Sequence, residues 1–404
     1  MNFNFEGFVA SSRKTLTEKT DTRMQASREK LKKEIIDDLS GSGVYSVCIT
    51  SDHGTSRDRF GTRKNTLTLS RTTKDYILKT DTLDLINCHE SQTGRVIRES
   101  VKESLVQWAG FDAEKFIVSW VTDNEAKQVN ARNPLYHSQV GLPIQYGGGC
   151  VDHLIELKLE AALKRCPEME ISVQASRSLV NYFKDSSLAR LRLTEISEEM
   201  GMAPLTVTKG TTNRWFYRHT EAKRVLELKP AIQQYQYSDL PAHVSQIRME
   251  DWSNLKFYVD CLNNIVLAAT VFEGEGYVTG SAVIPFLETL MTDLEELQHT
   301  MGHGDTHKDF IRELLNQMKI GFPGGFKEER PYNTLTLLDP RFQDLYFDPN
   351  QTRVAMEVIE NDRVFLTDIL NTPNTPTPSP SVSTSAQITS ASNKTLDSKV
   401  GSLR

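Results

Sequence analysis

VYSVCITSD at residues 44–52 and FIVSWVTD at residues 116–123 are the two stretches on which the fold turns. Each is an apolar, β-branched run of strand length that ends in an aspartate. Asp52 and Asp123 therefore sit at equivalent ends of two strands. Two carboxylates at neighbouring strand ends can hold a divalent cation between them, which makes the pair a candidate active-site floor, expected on adjacent strands within ~5 to 8 Å. A strand-terminal Asp is also a common helix N-cap or turn former, and Asp123 before Asn124 suits that role equally.

Working outward from the first run, 65–72 alternates apolar and hydroxyl side chains and 82–88 is apolar again, so three closely spaced strands predict an antiparallel meander. Val96, Ile97, Val101, Leu105 and Val106 have helical period within 91–109. The second run at 116–122 is the next strand, 124–132 a helix, 141–146 a short strand, and 151–163 a helix with Leu154, Leu157 and Ala161 inward. The order β-β-β-α-β-α-β-α predicts a mixed five-stranded sheet with helices on both faces. Before it, 12–38 is a charged amphipathic helix that Gly41 and Gly43 should end. Beyond 170 the strand signal disappears, and helical periodicity covers 176–198, 217–236, 253–272 and 283–300, an all-helical block. After 371 the composition turns to Pro, Ser and Thr, too poor in large apolar residues to offset chain entropy, and the tail should be disordered. The predicted segments are a charged helix (1–39), an α/β core (40–165), a helical domain (170–345), a terminal helix (346–370) and the tail (371–404).

The chain of 404 residues, 38% hydrophobic, is long enough for a substantial core. No window approaches ~18 to 20 uninterrupted apolar residues and the N-terminus has no signal-peptide core, so an intracellular protein is expected. Five cysteines scattered without a CxxC read as reduced thiols of a cytosolic or nuclear protein. A net charge of −6 excludes a protein that coats nucleic acid with its whole surface. The charge is uneven, however. Between 57 and 79 stand seven basic residues (Arg57, Arg59, Arg63, Lys64, Arg71, Lys74, Lys79) against two acids (Asp58, Asp75), directly after Asp52.

The order of elements and a series of local words resemble the hAT family of transposases, whose catalytic core has a ribonuclease H-like fold. The words are SSRKTL (11–16), ITSDHGTSR (49–57), SRTTKDYIL (70–78), FIVSWVTDNEAKQVNA (116–131), GGGCVDHLIELKL (147–159), ISVQASRSLVNYFKDS (171–186), TTNRWFYRHTEAKR (211–224), IPFLETL (284–290) and LLDPRF (337–342). The resemblance implies that Asp52 and Asp123 are the first and second acids of a centre that binds two Mg²⁺ or Mn²⁺ ions, together with a later Glu, for in-line attack on DNA phosphodiesters. The Ser-Glu-Arg-like word that should carry the third acid is absent. Glu357 and Glu360 lie on the terminal helix without it, and His53 and Gly54 stand where the family has Gly and Trp. Neither a finger word (CxxC with a distant HxxxH) before the core nor the family's apolar dimerisation stretch occurs.

Cys150 and His153 match the family's CxxH word; one Cys and one His are half a zinc site, and a structural role at a strand-to-helix junction is the simpler reading. Arg214 and Trp215 match the Arg-Trp word that opens the family's helical insertion, which implies a ring able to stack on an extruded base. A Trp on an amphipathic helix is otherwise a core anchor. His299, His303 and His307 have ligand spacing, but Gly302 and Gly304 interrupt it and TMGHGDTH reads as a loop. The expectation is a transposase-derived nuclear protein that associates with DNA or chromatin through Arg57, Arg59, Arg63, Lys64, Arg214 and Trp215 and has lost transposition. The alternatives are an active metal-dependent nuclease or transposase and a protein-interaction scaffold working through the helical block.

Overall fold

The computed structural model describes residues 13–42, 47–55, 63–73, 75–88, 93–109, 117–132, 146–203, 205–207, 215–274, 276–300 and 305–371. The sheet consists of β1 (Val47–Thr55), β2 (Arg63–Thr72), β3 (Leu78–Cys88), β4 (Ile117–Thr122) and β5 (Tyr146–Gly149), in the order β3-β2-β1-β4-β5. The first three strands pair antiparallel, and β4 and β5 add in parallel beside β1, so the sheet is mixed.

Period-two alternation sets which face is dry. Val47, Ile49 and Ser51 of β1 are buried, as are Asn65, Leu67, Leu69 and Arg71 of β2 and Trp120 and Thr122 of β4. This face is covered by α1 (Arg13–Ser42), α2 (Gly94–Ala109) and α3 (Ala126–Arg132) through Ile35, Ile97, Val101, Leu105 and Ala131. Burying each large aliphatic here is worth about 1.5–3 kcal/mol. The opposite face is different. Cys48, Thr50 and Asp52 are exposed, and Thr66, Thr68, Ser70 and Thr72 are half-buried. Over β1 and β2 the described side chains of this face are polar and at most half-buried.

Three sequence expectations shift. β1 runs through Asp52 to Thr55, because His53, Gly54 and Thr55 pair with Asn65, Lys64 and Arg63. The described fifth strand is the glycine run Tyr146–Gly149, and residues 141–145 of the strand expected over 141–146 lie outside the described residues. α1 continues through Gly41 instead of stopping before it.

Arg71 lies wholly buried on the covered face, with Nε 3.0 Å from Asp38 Oδ2 of α1 and a close bond to Asp81 of β3. Lys79 Nζ joins Asp38 at 3.2 Å. Arg28 reaches Asp84 at 3.6 Å. Two of the seven cations of the basic stretch are therefore spent on holding α1 to the sheet.

From residue 150 onward the described elements are helices: α4 (Val151–Lys164), α5 (Pro167–Asp185), α6 (Ser187–Glu199), α7 (Trp215–Glu227), α8 (Lys229–Ser238), α9 (Met249–Phe272), α10 (Val283–Thr300), α11 (Asp305–Gly321), α12 (Arg330–Leu338) and α13 (Pro349–Asn371), with 3-10 turns at Gly280–Ala282 and Pro323–Phe326. The single helix expected over 176–198 is broken at Ser186, whose side chain caps α6 by accepting from the Ala189 amide at 3.1 Å. The one expected over 217–236 is broken before Lys229, with Pro230 in the first turn of α8. These helices share a second hydrophobic cluster, distinct from that under the sheet. By length and composition α9 is apolar enough to cross a membrane, but it is the central helix of this cluster, with Trp252, Leu255, Tyr258, Leu262 and Ile265 all buried. A buried polar chain ties α5, α9 and α11 together: Ser172 Oγ donates to Asp251 Oδ1 at 2.7 Å, Asn254 Nδ2 donates to Ser172 Oγ at 3.0 Å, and His307 Nε2 lies 3.1 Å from Asn254 Oδ1. His307 lies within α11 and not in a loop, and its ring stacks on Phe257 at 4.2 Å. His303 lies outside the described residues.

Candidate functional site

The parallel ladder between β1 and β4 ends with Ser51 opposite Thr122. One step further along both strands come Asp52 and Asp123. Ser51 and Thr122 face the covered side; alternation along β1 turns Asp52 to the open side, and Asp123 follows directly on the last residue of β4, beyond the paired positions. Asp52 is exposed and Asp123 half-buried.

Asp123 also turns the chain. Its Oδ1 accepts the Glu125 amide at 3.0 Å, an Asx turn that leads into α3. Asn124 then locks that turn to the start of α4: its Nδ2 donates to Cys150 O at 2.9 Å, its amide lies 3.4 Å from His153 Nδ1, and the Cys150 amide donates to Thr122 O at 2.7 Å. Cys150 and His153 thus fasten β4, β5 and α4 at one corner. Burial pushes the Cys150 thiol up, the backbone amides of His153 and Asp152 pull it down, and the charges of Asp152 and Asp52 push it up again, with a net rise.

At Gly149 this corner is crowded. A Cβ on Gly149 would stand 2.0 Å from Asn124 Oδ1 and 3.2 Å from Arg132 Nη2. Arg132, the last residue of α3, donates from Nε to Thr122 Oγ1 at 2.9 Å. Burial lowers its guanidinium pKa, opposed by Tyr332 and Asp123. From α12, Tyr332 Oη donates to Gly149 O at 3.3 Å, and burial pushes its hydroxyl up to about 12. Sequence reading missed Asn124, Arg132, Gly149 and Tyr332. Only the triple glycine signalled a close backbone approach.

Other sequence candidates lie elsewhere. Arg57, Arg59 and Arg214 lie outside the described residues; Arg63 opens β2 and Trp215 opens α7, with their side chains undescribed. Lys64 is half-buried on β2. Near Trp215, Arg218 pairs with Glu160 of α4 at 2.7 Å and Arg224 with Glu227 at 3.3 Å. Glu357 pairs with Arg353 on its own helix at 2.6 Å. Asp52 and Asp123 could offer oxygens to Mg²⁺ or Mn²⁺, but among the described residues no group of three or more His, Cys, Asp or Glu is placed to hold a metal ion. The described donors therefore do not fit a two-metal centre.

Comparison with known protein families finds none whose pattern matches the chain, and comparison with curated proteins finds no similar sequence.

Proposed function

We propose that this chain is a transposase-derived, hAT-like protein of the nucleus, built on a ribonuclease H-like core with a helical insertion domain, that associates with DNA or chromatin and does not carry out strand transfer. The observation that supports the reading is that Asp52 and Asp123 directly follow Ser51 and Thr122, the last paired residues of parallel neighbours β1 and β4, within the element order β-β-β-α-β-α-β-α. The loss of strand transfer follows from the donor set, since paired carboxylates alone bind Mg²⁺ weakly. Incubation of the full chain with supercoiled DNA and Mn²⁺, beside Asp52→Asn, tests this. No Asp52-dependent joining of DNA ends is expected, and efficient Asp52-dependent joining overturns it in favour of an active enzyme.

DNA affinity should be weak, without base preference, and steeply salt-dependent, because Lys and Arg release phosphate counterions while the net charge of −6 opposes binding. Replacing Arg57, Arg59, Arg63 and Lys64 by Ala should weaken all sequences alike and flatten the salt slope. Trp215→Ala should chiefly reduce binding to single-stranded or hairpin-ended DNA. A protein-interaction scaffold is the second reading, favoured by the internal pairing of Arg71, Lys79, Arg218 and Arg224. Absence of DNA binding by the wild-type chain at low salt decides for it.

A further inference from the structure

Four hydroxyl-proline pairs, Thr372 with Pro373, Thr375 with Pro376, Thr377 with Pro378 and Ser379 with Pro380, follow directly on α13, which ends at Asn371. They are the only Ser-Pro or Thr-Pro pairs in the chain, since none of the other eleven of its 15 prolines follows a hydroxyl residue. The four pairs are read from the sequence, because 372–404 lie outside the described residues. Proline carries no backbone N–H and biases the residue before it towards extended backbone. A protein kinase that takes its substrate extended, and that offers an apolar surface without an acceptor to the following residue, therefore selects these four hydroxyls over every other Ser and Thr of the chain.

The end of α13 sets what a phosphate there does. Its last turn contains Asp368 and no basic residue. The last carbonyls of a helix have no partner within it and form the negative end of its dipole. Thr372 is the next residue. A phosphate on it adds a charge of about −1.5 to −2 at that negative end, with no cation in the last turn to offset it. We infer that Thr372, Thr375, Thr377 and Ser379 form a site for a proline-directed protein kinase, and that phosphate on Thr372 loosens the C-terminal end of α13. In the transfer, Thr372 Oγ1 attacks the γ-phosphorus of ATP, the hydroxyl proton passes to the kinase's carboxylate base, and ADP leaves. The inference stands apart from the DNA reading, because it requires no DNA contact.

Treatment of the full-length chain with a purified proline-directed Ser/Thr kinase and Mg·ATP tests it, with phosphates located by peptide mass spectrometry and amide exchange followed over 368–371. Phosphate is expected on Thr372, Thr375, Thr377 and Ser379, and on none of them once Pro373, Pro376, Pro378 and Pro380 are replaced by Ala. Exchange over 368–371 should quicken about two- to fivefold on phosphorylation, the factor to which a charge at a helix end corresponds. Thr372→Ala should keep the other three phosphates and lose that change, which separates the effect at the helix end from the added charge as a whole. These substitutions leave every residue of both hydrophobic clusters in place. Absence of phosphate from the four hydroxyls, phosphate that persists without the prolines, or a phosphorylated Thr372 with unchanged exchange overturns the inference.

Discussion

Gly149 and Gly148 are adjacent in β5 yet make different demands. A Cβ at 149 would collide with Asn124 Oδ1 at 2.0 Å, whereas at 148 it would meet Tyr332 Oη and Val121 Cγ2 at 3.7 and 3.8 Å, ordinary contact distances. Gly149→Ala should therefore cost about 1–3 kcal/mol by denaturant titration, as overpacked sites do, and Gly148→Ala much less. Equal effects would show that the Asn124 corner gives way freely. Asp339, in the LLDPRF word, is a second demanding residue. Its carboxylate accepts from Arg341 Nε at 2.9 Å and Nη2 at 2.6 Å and from Ser281 Oγ at 2.7 Å, which joins the end of α12 to the turn before α10. The Arg341 hydrogen bonds, led by the side chain, overcome the rise that burial would cause and hold the carboxyl well below the usual range. A carboxyl with a depressed folded pKa stabilises the fold above its unfolded value of ~3.9, and that contribution is lost as pH falls below it towards the folded value. Asp339→Asn should lower stability at neutral pH, and the difference from wild type should shrink in strong acid, as parallel denaturation curves would show.

Between elements, the docking of α1 rests on charge as much as on Ile35 and Leu31. Arg71 is fully buried against Asp38 and Asp81, and Arg71→Ala would take this cation from both acids and leave Asp38 to Lys79. A loss of about 3–5 kcal/mol is expected, with accelerated amide exchange in the C-terminal half of α1. Unchanged exchange there would show that the apolar contacts suffice. Arg71 also shows where sequence reading stops. Within β2 it follows the buried alternation of Asn65, Leu67 and Leu69, but a charged residue in a basic run reads as a solvated face, and only acids more than thirty positions upstream and ten downstream reveal otherwise. The meander, the strand ending at Thr122 and α10 were legible, because period-two alternation and a long helical period are local signals. The glycines of β5 were not, because they carry no hydrophobic pattern and are placed by their pairing with Trp120, Val121 and Thr122 of β4. The breaks at Ser186 and Pro230 carried readable cap and proline signals that the apolar periodicity overrode. In the candidate site the two aspartates were legible from the ends of their strands, whereas Arg132 and Tyr332 arrive from other elements without a motif.

Over the whole molecule, two hydrophobic clusters lie side by side in sequence, one under the sheet and one among the helices. Tyr332 links the helical cluster to the sheet: its ring stacks on Phe326 at 5.0 Å within the helical part, and its hydroxyl reaches the β5 backbone. Tyr332→Phe keeps the ring and removes the reach. It should cost about 0.5–1.5 kcal/mol in overall stability, the net worth of one hydrogen bond, and a neutral result would mean that the ring alone joins the two parts. Each cluster also carries its own chromophore. Trp120 is buried under the sheet with its indole N–H donating to Ser51 Oγ at 2.9 Å, and Trp252 is buried among the helices with the Lys229 ammonium 5.3 Å from its ring. One indole has a neutral hydroxyl as its polar neighbour and the other a cation, so their emission spectra need not coincide. In a chain whose Trp108 and Trp215 are replaced by Phe, the remaining two report separately on sheet and helices, and red-edge and blue-edge emission followed through denaturation can reveal whether the halves of this protein melt as one.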